Sequence, residues 1–427
     1  MKTIIIFIII LLTKTSFSLS INETVKSTIE NNKKVKIAVE KLNESKEIIE
    51  TAVGKKLPIV TGTISGTYSN SDSKTVTAST TPETFTDKYK ISASQNLLDG
   101  GKKDLEIEKA KLLFNNEMLS FYKTIQNLSL TAINGYLAVN NYKKSLEATK
   151  KNYDSVLRFL EETKLKYELG SSTITDLKNA EAAFAIAETN VFSANQNFDI
   201  SLKIFKSVVG KDAINLEELI NFENELDLNK ILLNVLENNY DILIAKNNID
   251  IKNIELSMVK SSSKPSLDLT ASAEYSDASR LDNGTENSNA SIGLTLNIPI
   301  FQQNQNKSES RKFISQILQS EMLLDDLRDD LSIDVSNYFK DYMVSLSTIE
   351  ASLKTIEYAT ILLESTNEEY NLGTKSITDL INAETELLDA NVQYFSANQN
   401  YLINYFNLLA LDGSLIELFK EYLPKYN

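Results

Sequence analysis

Two long stretches of this 427-residue chain contain almost no helix-breaking residues, and that limits what the chain can fold into. It has five prolines and twelve glycines in all. No proline lies between Gly101 and Pro265, and the glycines there are Gly135, Gly170 and Gly210. Between Phe301 and Asp412 the sole breaker is Gly373. An interior proline costs a helix about 3 kcal/mol and a glycine about 1 kcal/mol. Such stretches therefore sustain very long helices, whereas a compact enzyme of this size needs many more turns.

The apolar pattern agrees. Leu324, Leu327, Leu331, Val335, Tyr338, Tyr342, Leu346, Ile349, Leu353 and Ile356 step by three or four, as do Leu119, Tyr122, Ile125, Leu128, Ala132, Tyr136 and Val139. The spacing predicts helices near 102–169 and 305–372, each about 100 Å long at 1.5 Å per residue. Gly170 and Gly373 end them as C′ glycines do. Thr173-x-x-Asp176 and Ser376-x-x-Asp379 then resemble capping boxes with Asp in place of Glu or Gln. Each tip is thus a helical hairpin whose returning arm, near 173–209 or 376–411, is about half as long. Helical stretches at 21–53 and 236–260 have the length to fill the remainder, with 211–235 and 414–427 as appendages.

The chain is one plan written twice. Residues 167–210 align with 370–413 at an offset of 203, with 19 identities in 44 positions. Tyr167-Glu168-Leu169-Gly170-Ser171-Ser172-Thr173-Ile174-Thr175-Asp176-Leu177 matches Tyr370-Asn371-Leu372-Gly373-Thr374-Lys375-Ser376-Ile377-Thr378-Asp379-Leu380, and Phe192 to Asn197 recurs unchanged as Phe395 to Asn400. Two copies are too few for a solenoid, so a duplicated half with pseudo-symmetry is the better reading.

Composition removes whole classes of chemistry. Without cysteine or histidine there are no disulfides, thiolate metal sites, or Ser-His and Cys-His catalytic pairs. Carboxylate-only or lysine-based chemistry survives this cut, but long rods without globular insertions offer no cleft for two converging acids, and no catalytic residue, cofactor site or metal site is expected. The first residues read as an export signal: Lys2, then a nine-residue apolar run from Ile4 to Leu12, then Ser16 and Ser18, or Ser18 and Ser20, as the small residues of a cleavage site between 18 and 21. That run is shorter than the roughly 20 residues a spanning helix needs. Loss of Lys2 and Lys14 with the signal takes the net charge from −14 to −16. An acidic exported chain is a poor partner for nucleic acid.

Strand candidates are 57–68, 88–97, 266–275 and 290–300. Leu267, Leu269, Ala271, Ala273 and Tyr275 alternate with polar residues, as do Ala290, Ile292, Leu294, Leu296 and Ile298, and Tyr89, Ile91 and Ala93. Period-two alternation gives one apolar and one polar face. Alternation alone favours a half-buried soluble sheet, while the lengths also suit a membrane strand of about 9–11 residues. The loops at 69–87 and 276–289 are almost wholly polar and offer nothing to cover a sheet. Four strands cannot close a membrane barrel, and an open edge in lipid leaves backbone groups unpaired. If the apolar faces meet lipid, the chain must oligomerise, and three copies supply twelve strands.

At this point the sequence resembles the outer membrane efflux protein family, the TolC-like trimeric channel-tunnels. The paired Tyr-x-Leu-Gly-x-x-x-Ile-Thr-Asp-Leu tips carry the likeness. The junctions Leu97-Leu98-Asp99-Gly100-Gly101 and Asn297-Ile298-Pro299-Ile300-Phe301 are similar to the family's strand-to-helix passage, with Asn96 where proline is usual and no double glycine in the second. The resemblance implies a mainly α homotrimer: a long antiparallel α-helical barrel continued by a transmembrane β-barrel with four strands per protomer. It implies a passive duct in the bacterial outer membrane with a large periplasmic part, serving multidrug efflux or type I secretion, not an enzyme. Its partners would be outer-membrane lipid, a periplasmic adaptor and an inner-membrane pump.

Carried over residue by residue, Lys375 matches a basic position expected to pair with Asp176 of the same or an adjacent protomer. Thr175 and Tyr370 match hydrogen-bonding positions of the same latch. Asp379 matches one of two acidic ring positions. The other is Asn382, neutral here, which speaks against a strong double ring. The segments implied are 1–18 (signal), 19–56 and 236–264 (upper helices), 57–98 and 265–301 (barrel hairpins), 99–210 and 302–412 (long helix, tip, returning helix), and 211–235 and 413–427 (equatorial). Simpler readings stand beside these. Asp176 and Asp379 also serve as helix caps, Lys375 suits a solvated turn, and the whole pattern also suits a secreted or surface coiled-coil rod, flagellin-like or adhesin-like.

Overall fold

A computed structural model describes residues 19–70, 73–75, 78–80, 83–217, 226–278 and 285–424. The expected signal, 1–18, lies outside the described residues, as do parts of 211–235 and of the expected loops. The chain divides into two compact units, one of residues 1–39, 121–240 and 328–426, the other of 40–120 and 241–327.

The second unit holds a four-stranded antiparallel sheet in the order β1-β4-β5-β6. These strands are β1 (Ile59–Asn70), β4 (Glu83–Leu98), β5 (Ser266–Asp277) and β6 (Glu286–Asn297). Between β1 and β4 a short ladder joins β2 (Ser73–Thr75) to β3 (Ala78–Thr80). The central pair β4–β5 joins the two halves of the duplication. β4 starts five residues before the predicted 88, and β6 runs from 286 to 297 rather than 290 to 300. Polarity marked 83–87 as loop, but a ladder needs only backbone groups, and Thr84, Phe85 and Thr86 have high strand propensity. Pro299, which cannot donate to a ladder, lies just past the end of β6.

The duplicated helices are α1 (Ile21–Asn31), α2 (Lys33–Gly54), α3 (Lys102–Glu168) and α4 (Ile174–Val209), then α5 (Leu228–Asn238), α6 (Tyr240–Ser261), α7 (Gln305–Asn371) and α8 (Ile377–Leu411). A short α9 (Ser414–Glu417) follows. The long helices α3 and α7 have 67 residues each. Among the described residues no helix is long and apolar enough to cross a membrane.

The single helices expected at 21–53 and 236–260 are each broken in two. The expected appendage 211–235 also contains the start of α5, capped by Asp227. The breaks fall at Asn32 and Asn239, both extended, with ψ 129° and 131°. Each of these asparagines does equivalent work. The Asn32 amide donates to the Val208 carbonyl (3.2 Å) and the Asn239 amide to the Leu411 carbonyl (2.9 Å). Those carbonyls sit in the last turns of α4 and α8, where the helix itself supplies no donor. The breaks are therefore cross-helix caps. Replacing Asn239 with leucine leaves the Leu411 carbonyl unpaired and is expected to cost about 1–3 kcal/mol, read as a lower midpoint in thermal melts of the helical circular-dichroism signal. Asn32→Leu should behave alike, and unchanged midpoints for both would show that the staples contribute nothing.

In the first unit Tyr136 is fully buried. Its hydroxyl lies 2.7 Å from the Glu217 carbonyl and 3.1 Å from that of Leu19, where residue 19 bridges residue 216 in parallel. Burial pushes this hydroxyl up to about 12.

Candidate functional site

Two features carry functional information, one in each unit. The first is the sheet. Its register brings Val60, Ile64 and Tyr68 of β1 beside Ala93, Tyr89 and Phe85 of β4, with Ile91 opposite Gly62. The same rows continue through Leu269, Ala271, Ala273 and Tyr275 of β5 to Leu294, Ile292 and Ala290 of β6. All four strands thus place most of their apolar residues on one face, which turns acidic toward the hairpin loops at Asp87, Asp277 and Glu286. That face is bare: Ile64 is 79% exposed, Ile292 78%, Val60 67% and Leu294 65%. Tyr89 and Tyr275 face each other near the end that carries the hairpin loops, ring centroids 6.3 Å apart.

The opposite face is hydrophilic except for Ile59 at the start of β1. Ser69 bonds Thr84 (2.7 Å), Ser272 bonds Ser291 (3.0 Å), and Lys88 pairs with Glu274 (2.9 Å). At the other end Asn96 and Asn297 donate to the two oxygens of Asp268, at 2.7 and 3.3 Å. β1 and β6 form the two edges, and among the described residues neither edge has a further strand. A long exposed edge beside a bare apolar face is unstable in water.

The second feature is the pair of tips. Gly170 and Gly373 adopt left-handed backbone, φ +76° and +78°, which a side chain would strain. The amides of Ser171 and Thr374 donate back to the carbonyls of Lys166 and Glu369, at 2.8 and 2.9 Å, closing the ends of α3 and α7. Both predicted capping boxes form. Asp176 Oδ2 accepts from the Thr173 hydroxyl (2.7 Å) and amide (3.1 Å), and Asp379 Oδ2 from the Ser376 hydroxyl (2.8 Å) and amide (2.9 Å).

These bonds hold both carboxyls below the ordinary 3.8. The Thr173 hydroxyl leads at Asp176; the Ser376 amide leads at Asp379, helped by the charge of Lys375. A depressed carboxylate stabilises the fold above its unfolded pKa and loses that contribution as pH falls through the folded one. The caps therefore stay intact at neutral pH.

The tips share one small core. Ala180, Ile377, Leu380 and Ile381 are buried together, with Phe159, Leu160, Leu363 and Tyr370 packed on them. Asn179 of α4 donates to the Thr378 hydroxyl of α8 (3.3 Å). Thr175, Lys375 and Asn382 are exposed, and within the described protomer Lys375 forms no ion pair with Asp176.

Tyr370 is engaged elsewhere. Lys166 Nζ donates to its hydroxyl (3.0 Å) and lies 4.3 Å from its ring centre, and Glu162 Oε1 stands 2.7 Å from the same ammonium. Lys166 and Glu162 escaped the sequence reading. The signal that could have found them is their i,i+4 spacing one turn ahead of the tip glycine. Burial pushes the Glu384 carboxyl of α8 up, against the opposing effects of Ser155 and Arg158.

A family model described as outer membrane efflux protein matches residues 24–211 and 231–414. The outer membrane protein TolC of Escherichia coli (strain K12) is 26% identical over 310 residues, 68% of this chain and 62% of TolC. The alkaline protease secretion protein AprF of Pseudomonas aeruginosa is 22% identical over 302 residues, 67% of this chain and 61% of AprF. The chain therefore spans about six-tenths of these relatives. Among solved structures, the Campylobacter jejuni CmeC outer membrane channel superposes with a TM-score of 0.82 at 15% identity, covering 95% of this chain and 90% of that one.

Proposed function

The chain belongs to the outer membrane efflux protein family, and from that premise we propose that it is a passive export duct of the outer membrane whose helical part lies in the periplasm. Three copies join the β1 edge of one protomer to the β6 edge of the next, closing a twelve-stranded barrel with its apolar rows toward lipid and its polar rows toward the lumen. The helices of the three copies enclose the tunnel. An inner-membrane pump supplies the energy and a periplasmic adaptor engages the tips.

The tips are the gate. Lys375 and Thr175 lie exposed and Asp176 half-buried at the turns, where contacts between protomers are made, and three copies of Asp379 form a single acidic ring with neutral Asn382 beside it. Weak exposed pairs suit a gate, because closure has to be reversible under the pull of a partner.

The observation that carries this reading is the common register of four apolar strand faces on one uncovered side of a sheet with two open edges. A rod assembled in water has no use for such a face. The test is fractionation, gel mobility and planar-bilayer recording. A heat-resistant trimer from the outer membrane that conducts ions in single-channel steps is expected, with weaker cation preference in Asp379→Asn. A water-soluble monomer without conductance would overturn the proposal.

A further inference from the structure

Charge on the polar face of the sheet is unevenly placed. Lys88 and Lys90 of β4 alternate with Tyr89 and Ile91 and so project to the side away from the apolar rows. Glu274 of β5 stands opposite Lys90 in register and is the carboxylate both lysines share: Lys88 Nζ lies 2.9 Å from it and Lys90 Nζ 3.9 Å. The other residues of this patch are Thr63 and Ser65 on β1, Ser276 on β5 and Asn289 on β6, none of them charged.

Both ammonium groups remain accessible, their side chains 44% and 42% exposed. Among the described residues the next charge on that face is Asp268, six residues further along β5 and so about 20 Å away, roughly two Debye lengths at 0.1 M salt. On the polar face the described residues of the Lys88-Lys90-Glu274 level therefore carry one surplus positive charge per protomer, within a chain of net charge −14, while the neighbouring acids Asp87, Asp277 and Glu286 project to the other face of the sheet.

We infer that Lys88, Lys90 and Glu274 form an anion-favouring selectivity zone inside the barrel, opposite in sign to the acidic tips. The inference rests on the duct reading, which turns this face to the lumen and repeats it threefold. Six ammonium groups and three carboxylates then encircle the path within a low-dielectric wall that focuses their field. Chloride is favoured at that level, and by the same electrostatics so are solutes bearing carboxylate or phosphate.

The experiment measures reversal potentials of full-length trimers in planar bilayers under a potassium chloride gradient. Lys90→Gln removes the surplus charge and leaves the Lys88–Glu274 bridge, so it assembles. It is expected to raise the cation-to-anion permeability ratio about threefold. Glu274→Gln is expected to lower the ratio by about twofold, and Lys90→Arg to leave it unchanged. Opposite shifts from the two glutamine variants are a result that mere loosening of the sheet cannot give. Conductance with an unmoved ratio, or with both variants shifting the same way, overturns this inference alone. No conductance from the unaltered trimer overturns the duct reading and this inference together.

Discussion

Replacing Ile292 with lysine is expected to remove the protein from the outer membrane. Ile292 stands midway along β6, opposite Ala271, and is 78% exposed on the apolar face. A lysine turned toward lipid at mid-depth costs a membrane barrel about 2–4 kcal/mol. A trimer repeats the substitution three times, so the total is about 6–12 kcal/mol, as large as the whole stability of a typical domain. The control is the adjacent residue. Ser291 points to the other face, where it bonds Ser272, and Ser291→Lys adds a charge toward water at the same height. The expected result is loss of the heat-resistant trimer and of outer-membrane recovery for Ile292→Lys, with both retained for Ser291→Lys. Equal damage from the two would show that the faces are assigned the wrong way or that neither meets lipid.

What could be read from the sequence was whatever depends on near neighbours in the chain. The 67-residue helices follow from missing breakers and from steps of three and four, and the tip caps from a three-residue spacing. Strand alternation revealed that each strand is two-faced. It could not reveal that β4 lies against β5, because pairing between the two halves is set by backbone ladders that side-chain type hardly marks. The cross-helix caps escaped for a related reason. Asn32 and Asn239 reach partners 176 and 172 residues away, and asparagine does not break a helix as proline does. Asn31-Asn32 and Asn238-Asn239 recur at matching places in the two halves, and that pairing was the available sign. At the tips, too, sequence spacing could not mark the contact that Tyr370 makes with Lys166, 204 residues away in the chain.

On the proposal that the tips gate the duct, that contact predicts how gating responds to mutation. Lys166 closes the last turn of α3 and Tyr370 that of α7, so their bond ties the two long helices together beside the tips. An exposed pair of this kind contributes about 0–1 kcal/mol, and the ammonium over the ring adds about 0.5–1 kcal/mol. With roughly 1 kcal/mol from each of three protomers opening together, the gate equilibrium shifts by about 3 kcal/mol, on the order of a hundredfold. Lys166→Met is therefore expected to raise the time spent in the high-conductance state by at least about tenfold. Tyr370→Phe keeps the ring but loses the hydroxyl, and should fall between Lys166→Met and wild type. Tyr167→Phe, at the matching position of the first repeat, should do nothing, since Tyr167 is 40% exposed and holds no such partner among the described residues. The bond of Lys166 to Glu162, then that to Tyr370, raises the ammonium above its ordinary 10.5. A raised lysine stabilises fully below its unfolded pKa and ceases to do so only as pH climbs through the folded one. The clasp should consequently hold unchanged from mild acid to pH 9 and release only in strong alkali. Gating that changes between pH 6 and 8, or a Lys166→Met trimer that opens no more often than wild type, would show that this contact plays no part in closure.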